Sequence, residues 1–190
     1  MGNYLKIQIS DKESLCQNVY TDQIVKSANY LKEYENYAKV GKKQIPVTCY
    51  TNFRDALFHF RKMAGCLEEH EILQQAFAVK EHLNRAKTDA MTSVLFYFSY
   101  VASCFLKDET ILEDVKRKIR ISLHQMKNVI LTSRIDGMMM SEVSVKKVSE
   151  EEIADILKTF FDLVQESCFE QFNAVNDGLD FKDVGYQFNT

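Results

Sequence analysis

Read for apolar spacing, the chain falls into a series of amphipathic helices. Ile24, Ala28, Leu31 and Ala38 mark one side of a first stretch, which the pattern carries to about Val40 with a break near Thr21. The run "SDKE" at 10–13 has capping-box form, with Ser10 placed to hold the Glu13 amide. Gly41 is placed as the C′ residue of this stretch, before a loop closed by Pro46. A second helix is expected from an N-cap at Thr51 or Asn52. Phe53, Ala56, Leu57, Phe60 and Ala64 share one face of it, and Gly65 ends it. The third pattern runs through Ile72, Ala76, Val79, Leu83, Ala86 and Ala90 into "VLFYFSYVASCFL", Val94 to Leu106. No breaker separates Glu68 from Leu106, so this is one helix or two joined by a kink.

Asp108 is expected to open a further helix, with Ile111, Val115, Ile119, Leu123, Met126 and Ile130 facing inward. The helical period stops between Asp136 and Val148, where a loop or short hairpin is expected, centred on 138–147. "SEEE" at 149–152 is a second capping box, and a last helix is expected to about Val175, followed by an irregular tail over 176–190. The sum is an all-α fold: one domain over 1–190, a bundle of five or six helices.

Composition agrees. Six glycines and one proline in 190 residues are too few for the many turns of a sandwich or barrel. The net charge of −3 argues against a broad electrostatic grip on nucleic acid and leaves room for a local basic patch. The apolar run at 94–106 is shorter than the roughly 20 residues of a membrane span, so it reads as a buried helix and no membrane partner is expected. Five cysteines at 16, 49, 66, 104 and 168 form no C-x-x-C pair, and no signal peptide is apparent near the N-terminus. Reduced thiols in a cytoplasmic protein are the expectation.

Candidate chemistry concentrates in "NFRDALFHFRK", residues 52–62. Arg54 and His59 are separated by four residues, and a polar residue, Asp55, follows the arginine. This R-x4-6-H element on an all-helical chain resembles the HEPN superfamily, many of whose members are metal-independent ribonucleases. The resemblance covers these residues and the helical context. It implies a composite site across a homodimer, no cofactor, and a toxin or phage-defence setting. RNA cleavage by internal transfer needs a base for the 2′-hydroxyl proton and an acid for the leaving oxygen, which histidine supplies near neutral pH. A guanidinium can grip two oxygens of the charged phosphorane. On a continuous helix, five positions turn about 500°, so Arg54 and His59 point about 140° apart and converge only if the helix breaks or two copies meet. Asp55 and His59 are i and i+4 and share a face, so Asp55 is expected to orient the imidazole; Lys62 lies near the same stripe.

"EHLNRAKTDA", 81–90, offers His82 and Arg85 as a second wall of the same pocket, if the two helices pair antiparallel through a turn near Gly65. Glu81–Arg85 and Arg85–Asp89 equally read as a salt-bridged surface strip. Lys116, Arg117, Lys118 and Arg120 form a basic run that suits phosphate contacts or a solvated helix face. Glu-x-x-His is absent, so no metal site is expected. Cys66 is the one cysteine placed where a nucleophile would be tempting. Against the catalytic reading stands a plainer one: Arg54, Asp55, His59 and Lys62 as the wet face of a core helix, in a non-catalytic interaction or RNA-binding protein with a protein partner.

Overall fold

The computed structural model describes residues 9–137 and 149–178. The described residues are helical and connecting segments, with no strand among them, so the all-α expectation holds. The order is α1 (Ile9–Asn18), a π-helical segment (Val19–Val25), α2 (Lys26–Val40), α3 (Val47–Gly65), α4 (Glu69–Lys107), α5 (Glu113–Gly137), α6 (Glu150–Ser167) and α7 (Phe169–Gly178). Since α1, the π segment and α2 run on without interruption, six continuous helical stretches result among the described residues. The hairpin expected at 138–147 lies outside the described residues. The chain divides into two compact units, Met1–Met91 and Thr92–Thr190, and the boundary falls within α4.

In the first unit, the expected break near Thr21 is a π turn instead. Thr21 donates its hydroxyl to the Gln17 carbonyl at 2.9 Å, drawing on the same backbone acceptors as the helix. A π turn holds about one residue more than an α turn, so positions five apart come round to one side. Val19 and Ile24 are accordingly both buried. Ser10 lies inside a backbone already helical at Ile9, not at its N-cap. At the far end of α2, Gly41 is the C-cap with φ −83°, and the left-handed residue is Lys42, with φ 55°. Lys43 N donates to Ala38 O at 2.9 Å and Lys42 N to Lys39 O at 2.9 Å, the two bonds of a Schellman motif.

The start of α3 is at Val47, just after Pro46, which is earlier than the expected caps Thr51 and Asn52. The fixed φ of proline suits a helix start without any side-chain cap. Its buried face is Cys49, Ala56 and Met63, flanked by half-buried Phe53 and Phe60; Leu57 and Ala64 turn outward. Of this 4-3-4-3 row, Phe53, Ala56, Phe60 and Met63 pack with Val19, Ile24, Ile72, Val79 and Leu83. Lys12 of α1 closes the end of α3, its ammonium donating to Ala64 O at 3.1 Å and Cys66 O at 2.5 Å. Carbonyls at a helix C-terminus lack intrahelical donors and favour positive charge.

In the second unit, Asp108 starts a turn and not a helix. Its carboxylate accepts from Thr110 N at 2.8 Å and Thr110 Oγ1 at 2.7 Å. Helix α5 then begins at Glu113. Ser149 forms the expected capping box at α6, accepting from Glu152 N at 3.1 Å while Glu152 accepts from Ser149 N at 2.9 Å. The last helix expected is two, broken at Cys168, whose φ of −141° is not helical. Helix continues to Gly178, so the stretch from Asn176 is not yet irregular; the tail beyond it lies outside the described residues. Phe98 and Phe160 meet at 5.6 Å between centroids in a core with Phe105, Ile119, Met126 and Leu157. Within α4, one window is long and apolar enough to cross a membrane by length and composition alone, and 56% of it is buried inside the molecule.

Candidate functional site: a polar seam between two helices

The site stretch lies wholly in the first unit. Asn52, Asp55, His59 and Lys62 follow one another at 3-4-3 spacing along α3, and Gln75, Ala78, His82 and Arg85 do the same along α4. Such spacing keeps each set on one face of its helix. Two cross-helix bonds tie the rows together. His59 Nδ1 meets Gln75 Oε1 at 2.8 Å, and His82 Nδ1 meets Asn52 Oδ1 at 3.2 Å. As one row ascends the other descends, so the pair is antiparallel around the Gly65 turn, which is the condition the second wall needed.

Between these two bonds the imidazoles stack. Their centroids are 5.2 Å apart and their planes differ by 19°. Both histidines are half-buried. Each Nδ1 faces an amide oxygen, which makes Nδ1 the donor. Nε2 is then the nitrogen left to take up or give a proton, and neither Nε2 has a partner among the described residues. The sequence reading gave Gln75 no role and Asn52 only that of an N-cap. The signal was available: the register set by the Gly65 turn puts each amide opposite one imidazole.

Other predicted residues go elsewhere. Asp55 does not orient His59. Its Oδ1 accepts from Arg54 Nε at 3.1 Å and Nη2 at 2.9 Å, because the adjacent guanidinium offers it two charge-assisted donors. The Arg54 side chain is 73% exposed, and an ion pair so wet is worth about 0–1 kcal/mol. Helix α3 is unbroken, so within one chain Arg54 and His59 leave it about 140° apart. Lys62 sets its ammonium 4.5 Å from the Phe58 ring centroid. Arg85 reaches Glu81 at 4.0 Å and makes no bond to Asp89, so of the second wall it is His82 that meets His59.

An open groove of about 580 Å³ lies beside the seam where α3 turns into α4. Lys62, Cys66, Leu67, Glu71 and Gln75 line it. Cys66 donates its thiol to the Lys62 carbonyl at 3.2 Å, and no imidazole contacts it among the described residues. Cys49 is buried, and burial, with Asp89 adding to it, pushes its thiol up to about 11. That keeps it a neutral core residue.

In the second unit, the basic run on α5 is partly neutralised from its own helix. Arg120 meets Glu113 at 2.6 Å and Arg117 meets Asp114 at 3.7 Å. Among the described residues, no three histidine, cysteine, aspartate or glutamate side chains gather as metal ligands would. Comparison with family models, with curated proteins and with solved structures found no match.

Proposed function

We propose that this chain is a HEPN-like, metal-independent endoribonuclease that acts in the cytoplasm as a homodimer, in a toxin or phage-defence setting. The observation that carries the reading is the state of His59, whose ring is pinned at Nδ1 by Gln75 while Nε2 stays open. An oriented imidazole with one free nitrogen is what proton transfer from a ribose hydroxyl requires. Arg54 is the anion clamp, and it comes from the second copy. Along one helix the two residues are separated by about 7.5 Å of rise and about 140° of rotation, too far to hold one phosphorus together. The exposed guanidinium, tied only to a neighbouring carboxylate, can swing onto a phosphate at little cost.

The test is incubation of the purified protein with mixed RNAs in EDTA, followed by analysis of fragment ends. Cleavage leaving 2′,3′-cyclic phosphate and 5′-hydroxyl ends is expected, and His59→Ala should lower the rate by about 10²–10⁴ while the protein stays folded. Equal cleavage by His59→Ala and the unaltered protein would end the reading.

The alternative is a non-catalytic helical interaction or RNA-binding protein. It is favoured by the large apolar side chains that unit one leaves in water, among them Phe58 on α3 and Leu73 and Phe77 on α4. On that reading RNA or a protein is bound and released uncut.

A further inference from the structure

Resting on the ribonuclease reading above, we infer that His82 is a second catalytic residue, so that one helix pair supplies both the acid and the base. The resemblance assigns the chemistry to a single histidine. The structure brings a second imidazole to it, from the facing helix, with ring centroids 5.2 Å apart. The two rings are held by equivalent devices. Gln75 of α4 fixes His59 of α3, and Asn52 of α3 fixes His82 of α4. A surface histidine that merely covers core has no need of a partner chosen to set its tautomer. Here both have one, and both Nε2 atoms are left without a partner among the described residues.

The reaction uses two proton positions. One imidazole takes the 2′-hydroxyl proton as the 2′-oxygen forms its bond to phosphorus. The other gives its proton to the 5′-oxygen as the phosphorus–5′-oxygen bond breaks. The products are a 2′,3′-cyclic phosphate and a 5′-hydroxyl, and the pair is left with its proton on the other ring, to be reset through water. Attacking and leaving oxygens stand on opposite sides of one phosphorus, so two separate imidazoles can serve them at once. An acid held beside a base is what the reaction asks for.

The experiment compares His59→Gln and His82→Gln, which keep an amide able to bond Gln75 or Asn52, on two substrates. One is ordinary RNA; the other carries sulfur in place of the 5′-bridging oxygen. A thiol ionises near pH 8.5, so the sulfur leaves without a proton and needs no acid. Each variant should cut ordinary RNA at least about 100-fold more slowly than the unaltered protein. The sulfur substrate should restore one variant, which identifies the acid, and leave the other slow. If His82→Gln cuts ordinary RNA at the normal rate while His59→Gln does not, His82 is structural, and the ribonuclease reading survives without this inference. Restoration of both variants or of neither would also overturn the two-role assignment. Failure of the unaltered protein to cut any RNA would overturn both.

Discussion

Lys42 holds the left-handed position that ends α2, and replacing it isolates a defined backbone strain. Its φ is 55°, and among the described residues no other non-glycine has a positive φ. A side chain there costs about 1–2 kcal/mol through the clash of Cβ with the following carbonyl. Lys42→Gly removes that clash and keeps both Schellman bonds, which are backbone bonds. It also frees the unfolded chain, worth about 0.5–1 kcal/mol against folding, and deletes a charge near a helix C-terminus. Lys42→Ala deletes the same side chain and charge but keeps the strain. The difference between the two variants is therefore the strain relieved, about 1–2 kcal/mol, less the freedom given to the unfolded chain, about 0.5–1 kcal/mol. With a urea slope of about 2 kcal/mol/M, the midpoint of Lys42→Gly should lie up to roughly 0.7 M above that of Lys42→Ala. A higher midpoint for Lys42→Ala would refute the assignment of strain to Lys42.

Other outcomes follow from single contacts. Ser149→Ala removes half of the capping box at α6 and should cost about 1 kcal/mol in urea unfolding, with Ser149→Asp close to the unaltered protein. Phe160→Ala empties a fully buried site against Phe98 and should cost about 3–5 kcal/mol, read as a fall in the thermal midpoint of the protein. Cys49, at about 11 in the fold against an ordinary 9.0, keeps its proton when the unfolded chain has lost it. The native state then binds more protons, so stability should fall as pH rises above about 9 and level off above about 11. Urea midpoints at pH 8 and 10.5 should differ more in the unaltered protein than in Cys49→Ala.

Periodicity made the helices legible because burial on a helix repeats every three or four residues. Ile72, Val79, Leu83, Ala86 and Ala90 are all buried where the pattern placed them. Boundaries were less legible, since they rest on single backbone angles. Gly41 had the composition of a left-handed cap, yet the chain turns one residue later, at Lys42. Asp108 had the form of an N-cap and spends its carboxylate on Thr110. On α3 the stripe was misphased, because Leu57 and Ala64 are apolar but point outward, while Cys49 and Met63 hold the core. In the candidate site, the meeting of His59 and His82 was readable from the turn at Gly65. The exchange of partners was not. Whether Asp55 takes Arg54 or His59 depends on competition among three side chains within reach, which spacing does not rank.

The composite site can be tested by mixing two dead variants. On the proposed reading, Arg54→Ala and His59→Ala should each be inactive alone. In a twofold dimer of one of each, one of the two sites regains both an arginine and a histidine. Random exchange makes half the dimers mixed, so RNA cleavage in EDTA should return to about a quarter of the unaltered protein's activity. A mixture no more active than its components, although mixed dimers form, would contradict the account.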